Sequence, residues 1–386
     1  MANTLTNLIP DIYAALDVVS RELVGFIPAV ARDPSADRVA LNQTLRVPIS
    51  PANAAGLDIT PAMALPAAAN QTIGNAGITI SKSRAFPFSW TGEEQRAVSA
   101  GPGFLTLKQG QIAQAIRAVV NEMELDIATA AYQGASRAIG ATAGTAPVLA
   151  DWAGAKKILD DNGAPISDRT TVINTTAGVA LRSTANLYKV NEAGENGLLR
   201  NGTLGNLYGF DLRESAQVQT VNAGTMASAT TTAAVLAVGQ TVLPLATAGT
   251  GVVAAGDIIT LANDTHKYVV ASVSFAGANP ASGDSITIAA PGLRLAQASA
   301  TRAITVFATS TRNCALTRNA ILLATRLPAI PTEGDLATDR MTITDPTSGI
   351  SLEVAAYPGF RMITYHVSVA WGVKVIKPEH LAIIIG

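Results

Sequence analysis

The side chains able to do chemistry are few here, and they are not grouped. His266, His366 and His380 lie far apart, and none has a second His or Cys at metal-ligand spacing. Cys314 is the only cysteine. An internal disulfide is therefore excluded, and with nothing nearby to mark a thiolate its expected role is a small buried hydrophobe. "KKILDD" sets Asp160 beside Asp161, but adjacent helical positions point in different directions, so the pair reads as a solvated helix end and not as an acid/base couple. No G-x-x-x-x-G-K-[ST] phosphate cradle occurs, and "GENG" and "GTLG" lack the preceding strand and following helix that dinucleotide binding needs. No catalytic, cofactor-binding or metal residue is expected, and the chain does not read as an enzyme.

Composition points to covered surface. Charged residues are 14% of the chain, against about 25% in an average globular protein, so much of the exterior must be uncharged or buried against other subunits. Apolar residues reach 48% with only 5% aromatic, which describes cores of small side chains. A net charge of −1 provides no basic field to recruit nucleic acid or an anionic membrane. A length of 386 residues suggests two or three domains. No basic segment followed by an apolar one opens the chain, and every long apolar run is broken before about 18 residues. The expected compartment of synthesis is the cytosol, without a membrane span.

The elements show more than the isolated residues. In "ITYHVSVAWGVKV", residues 363–375, Ile363, Tyr365, Val367, Val369, Trp371, Val373 and Val375 alternate, predicting a strand roughly 43 Å long with one buried face. His366 falls on its other face, as a solvated or interface residue. A helix of similar length is predicted from Leu105 to Gln133, with Ile112, Ile116, Val119, Met123, Ile127 and Ala130 on one stripe and Lys108, Gln114, Arg117, Glu122 and Glu124 off it. Thr106 and Gln109 resemble a capping box and Gly134 a left-handed stop. Helix and strand can lie side by side.

Ahead of them, residues 10–27 carry Ile12, Ala15, Leu16, Val19, Leu23 and Phe26 at helical spacing, ending near Pro28. The chain then loosens. "TLRVPIS" reads as a strand, and Pro48–Gly77 is rich in Ala, Pro, Asn and Gly, as in an arm or linker. It returns through "GITISKSRAFPFSW", where Ile78, Ile80, Lys82, Arg84, Phe86, Phe88 and Trp90 share one large face and small residues the other. That pattern suits either a β-ribbon laid on a partner or a half-buried strand of the same domain. On the first reading the face is too broad for one subunit to bury, so the arm, residues 45–90, orders on a neighbour.

From Asp151 the pattern is α/β: "DWAGAKKILDDNGAP" a helix, "RTTVINT" a strand, "TAGVALRSTANLY" a helix, then the polar loop 191–206. Residues 221–309 turn Thr-, Ala- and Gly-rich, with strands "DIITLAN", "KYVVASVSF", "SITIAA" and "AITVFA", a small all-β barrel or sandwich. A helix resumes at "TRNAILLATRL", so the β block looks inserted.

"FPFSWTGEE", the long helix, "RNGTLGNLYGFDLRES", "NCALTRNAILLATRLPAIP" and the closing "YPGFRMITYHVSVAWGVKVIKPEHLAIIIG", in this order, resemble the major capsid proteins of tailed bacteriophages. These have the α+β Hong Kong 97-type fold, and the likeness is greatest to the coat proteins of short-tailed Salmonella phages, which carry an inserted β-barrel. The resemblance implies an N-terminal arm (1–44) and an extended loop (45–90). It implies a peripheral domain with spine helix and long C-terminal strand (91–139 and 341–386), an axial domain (140–220 and 310–340) and the insertion (221–309). It implies hexamers and pentamers in an icosahedral shell around double-stranded DNA bound without sequence specificity, a portal protein, and a location in the virion after assembly in the host cytoplasm. Since the chain reaches its arm by about residue 45, a separate scaffolding protein is implied as well. Assembly contacts would be Ile78, Ile80, Lys82, Arg84, Phe86, Phe88 and Trp90. In relatives with a covalent chainmail a loop Lys joins an Asn; Lys82 sits in the loop, but no residue marks the acceptor. An encapsulin-like cargo shell or a surface-layer protein is the competing reading of the same low charge.

Overall fold

The computed structural model describes residues 24–49, 74–98, 103–140, 142–184, 187, 204–247, 249–344 and 350–386. The helix expected over 10–27 up to residue 23, the tip of the arm at 50–73 and most of the polar loop 191–206 lie outside the described residues.

A one-turn helix α1 (Phe26–Ala29) leads into β1 (Ala31–Val39). β2 (Thr44–Ile49) and β3 (Gly74–Thr79) pair as a hairpin root, followed by β4 (Lys82–Thr91), α2 (Gly92–Val98) and the 31-residue α3 (Gly103–Gln133). Next come β5 (Arg137–Ile139), α4 (Leu149–Asp161), β6 (Arg169–Ile173), α5 (Thr175–Ser183), β7 (Asn206–Leu207), β8 (Phe210–Glu214) and β9 (Thr220–Val221). The block expected to be inserted holds β10 (Thr230–Thr231), β11 (Val242–Thr247), β12 (Ile258–Leu261), β13 (Lys267–Ser274), β14 (Ser285–Ile288) and β15 (Ile304–Val306). The chain closes with β16 (Ser310–Thr317), β17 (Ile321–Pro328), β18 (Asp339–Thr344), β19 (Ser351–Gly359), β20 (Met362–Val375) and β21 (Leu381–Ile385). Pro28, expected to end a helix, sits in the first turn of α1, where its missing N–H has no intrahelical partner to lose.

The spine is α3 laid on a sheet of order β1-β17-β20-β19-β18, to which β4 adds along β20. Ile112, Ile116, Val119, Met123, Ile127 and Ala131 are buried against Tyr365, Val367, Val369 and Trp371, the alternate residues expected. The stripe ends on Ala131 and not Ala130. Burying each large side chain stabilises the fold by about 1.5–3 kcal/mol. α3 begins at Gly103, so Thr106 lies inside the helix and not at its start. Gly134 is required for a different reason from the left-handed stop expected: a Cβ would come within 2.6 Å of the Val375 side chain.

Two strands contradict the sequence reading. "ILLATRLP" is strand β17, not helix, because it lies between β1 and β20 and is buried on both faces, which takes a continuous apolar run that periodicity cannot separate from a helix. β1, read as loosened chain, is the edge strand of that sheet. It tolerates Pro34 there, and its register shifts between Pro34 and Arg38.

The second sheet runs β10-β11-β14-β13-β5-β21-β16-β6-β8-β7. α4 and α5 cover the part of it around β21, β16, β6 and β8, expected to be the axial unit, through a core of Trp152, Leu159, Leu181, Phe210 and Ile384. Sheet membership thus divides the chain differently from the expected limits. β17, expected in the axial unit, lies in the spine sheet, and β5 and β21, expected in the peripheral unit, lie in the axial sheet. All four insertion strands read from the sequence are present. Their core, including Leu243, Ile259, Tyr268, Ile286 and Leu293, draws on residues 226–304 alone. The insertion joins the rest where Lys267 and Tyr268 of β13 pair with Ala138 and Arg137 of β5. It also leans on the end of α3 through Gly256, whose φ of +92° and contact with the Tyr132 ring both exclude a side chain. Beside that contact Arg312 is buried, and none of its guanidinium nitrogens has a hydrogen-bond partner among the described residues.

Because its core is its own, the segment 221–309 expressed alone is expected to give a dispersed amide proton NMR spectrum. A collapsed spectrum would show that it depends on the β5 edge.

Candidate assembly surface

The seven residues expected on one open face divide between two faces. Ile78 and Ile80, both fully buried, pack with Val39, Leu322, Ala324 and Ala370 on the back of the spine sheet. The chain then crosses β20 at Gly372, where a Cβ would meet the Thr79 carbonyl oxygen at 2.2 Å. From Lys82 onward the ribbon faces α3. The Lys82 ammonium donates to Glu122 (2.9 Å) and Asp126 (2.8 Å), and lies 5.8 Å over the Trp371 ring. Partial burial opposes its charge, but the two carboxylates outweigh burial and raise its pKa. Arg84 Nε donates to Glu122 at 3.2 Å. Phe88 stacks on Tyr365 with ring centroids 5.3 Å apart, Phe86 is half-buried beside it, and Trp90 donates its indole N–H to Gln111 at 2.6 Å. The expectation of an arm face too broad for its own subunit is corrected: the back of the sheet and α3 cover most of it. Of the seven, Arg84 stays exposed, and Lys82, Phe86 and Phe88 are half-buried.

Glu124, expected on the polar side of α3, is 1% exposed. Its Oε1 accepts from the N–H groups of Gly25 and Phe26 (2.6 Å each) and from the Ser215 hydroxyl (3.0 Å), and its Oε2 accepts from the Ile27 N–H (2.9 Å). One carboxylate in the spine thus caps α1 and ties in the segment after β8. Burial pushes its pKa up, and the four donors hold it back. The sequence signal was faint: an acid one position after the buried Met123.

The other chemistry-bearing residues stay apart. Asp160 pairs with Lys156 and Arg169, and Asp161 with Lys157. Asp264 accepts from the His266 ring (2.7 Å) and the Tyr268 hydroxyl (2.7 Å) within one turn of the insertion. His366 leans on Tyr357, ring centroids 4.8 Å apart, and His380 is buried, which lowers its pKa. Cys314 is buried as expected, its thiol pushed up to about 12. Among the described residues no three His, Cys, Asp or Glu side chains could hold a metal ion, and no helix is long and apolar enough to cross a membrane.

No family model matches the chain, and no curated protein matches it. Solved structures similar to it include a chain of Mycobacterium phage Che8, at 13% identity and a TM-score of 0.45, covering 90% of this chain and 85% of that one. The capsid of cyanophage P-SCSP1u is similar at 12% identity and a TM-score of 0.47, covering 92% and 86%. The virus-like particle of Pyrococcus furiosus is similar at 8% identity and a TM-score of 0.40, covering 97% and 96%.

Replacing Glu124 by Ala should destabilise the subunit by about 3 kcal/mol or more, since three backbone N–H groups and a hydroxyl lose their acceptor. Glu124→Gln gives the pH test. A carboxyl whose folded pKa is raised contributes fully below its unfolded value and loses that contribution as the pH rises through the folded value. The melting temperature of the wild type relative to Glu124→Gln should therefore fall as the pH rises from about 4.5 towards neutrality; a constant difference would contradict it.

Proposed function

We propose that this chain is the major capsid protein of a tailed bacteriophage. On this reading it has the Hong Kong 97-type fold with an inserted β domain, and it assembles as hexamers and pentamers into an icosahedral shell around double-stranded DNA. The observation that carries the reading is a spine helix matched to one long strand, with a ribbon that crosses the spine sheet and pairs back as far as Ile49 opposite Gly74. Such a subunit has one rigid axis, and a chain with 14% charged residues meets little repulsion when many copies pack together. DNA would be held by enclosure, its phosphates neutralised by counterions. A separate scaffolding protein and a portal protein complete the reading. Arg84, Phe86 and Phe88 are the ribbon residues left to act as contacts.

Electron microscopy and sedimentation of the purified protein, with and without its scaffolding partner, test this. Closed particles are expected, and a stable monomer or dimer at high concentration with scaffold present would overturn it. Replacing residues 50–73 by a short Gly-Ser turn should leave the subunit's melting temperature unchanged while closed particles are lost. Normal particles would remove the arm from the assembly role.

A further inference from the structure

Four arginines are buried among the described residues, and three of them are answered directly. Arg137 donates to the Ile158 carbonyl (3.2 Å) and to the Asn162 side chain (3.1 Å), Arg169 pairs with Asp160 (2.7 Å), and Arg326 pairs with Asp33 (2.7 Å). Arg312 is not answered: Nε, Nη1 and Nη2 are all buried, and none has a hydrogen-bond partner among the described residues. Ser310 stands two positions before it on β16, so both side chains leave the same face of the strand, the one that Cys314, Leu316 and the opposing Ile385 present to the spine core. The Ser310 hydroxyl is also buried and also without a partner. Cys314, the next residue on that face, turns its thiol to the Arg312 carbonyl oxygen at 3.5 Å and so offers nothing to the guanidinium.

Charge and donor type define what belongs there. The carboxylate that Arg312 feels most is that of Asp257, but Asp257 Oδ1 accepts from the Gly224 N–H (3.1 Å), its Oδ2 accepts from the Ala254 N–H (2.7 Å), and it forms no ion pair with Arg312. A guanidinium taken out of water with no counter-charge in contact is strongly unfavourable. A water molecule would complete the hydrogen bonds and leave the charge. The unpartnered atoms are three guanidinium nitrogens and a hydroxyl, all of them able to donate. A monatomic anion suits that set, because it accepts from several donors without fixed lone-pair directions, and it needs little room at a place where Ser310 and Arg312 are each 1% exposed. We propose that Arg312 and Ser310 hold a buried halide, chloride or bromide, as the counter-ion of this part of β16. The ion does for Arg312 what Asp160 does for Arg169.

The test is thermal melting of the full-length protein at fixed ionic strength while chloride replaces gluconate. A ligand that binds only the folded state favours it about tenfold for each tenfold rise in concentration above Kd, so the melting temperature should climb by equal steps per decade of chloride, and bromide should act in the same way. Arg312→Met, which keeps the apolar stem and removes the charge, should fold and lose the climb. Ser310→Ala, which removes one donor, should fold and need more chloride for the same climb. A wild-type melting temperature indifferent to chloride would leave water in the site and overturn the proposal. An equal climb in Arg312→Met would reveal a general salt effect and overturn it too. Should Arg312→Met fail to fold, Ser310→Ala decides, since a chloride dependence identical to that of the wild type would remove Ser310, and with it the site.

Discussion

The seam between α3 and β20 is the contact on which the other elements depend. A 31-residue helix at 1.5 Å per residue and a 14-residue strand at 3.3 Å per residue are both about 46 Å long. The apolar stripe of one, from Ile112 to Ala131, therefore meets the alternate residues of the other. Every other part of the spine is attached to this pair. β20 pairs with β4 at ten positions, with β19 at seven and with β17 at six, so the strand that faces the helix is also the strand from which the sheet is built.

Charge enters this seam only where it is answered. Glu124 has four donors, and Asp126 accepts from both Lys82 and the Trp371 indole, so the polar groups along α3 connect the seam to α1 and β4 instead of breaking it. Arg312 is the exception. Its guanidinium is buried, and the charge that answers it first is the carboxylate of Asp257. Burial lowers its pKa, and a buried cation answered only at a distance weakens this junction.

Where one physical signal acts alone, the sequence is readable. Alternation in 363–375 and the three-to-four spacing of Ile112 to Ile127 each mark the face turned to the seam, and both elements lie where those patterns put them, although Ser368, Ala370 and Gly372 on the strand's other face are buried as well. β17 is hidden by burial on both faces, which erases the period, and β1 by Pro34 at a sheet edge. The ribbon misleads for a third reason: Ile80 and Lys82 are two apart and should share a face, but the chain passes from the back of the sheet to the front between them. Glu124 looks like any surface acid until the backbone of residues 25–27 is brought to it from nearly a hundred positions away. Among the chemical candidates, the histidines, Cys314 and the Asp160–Asp161 pair end up as they read, in separate places with local partners.

The ladder between β4 and β20 has a mechanical meaning. Its ten paired positions lie in one unbroken antiparallel register, with hydrogen bonds running across the strands. A pull on the ribbon along its length therefore loads the bonds together in shear, instead of peeling them one by one from an end. The bend at Ile80–Ser81, held by the Ser81 N–H donating to the Trp371 carbonyl, delivers that load to the middle of the spine sheet and from there to α3. A ribbon pulled along its length would resist as a single beam, without unravelling at the point of attachment.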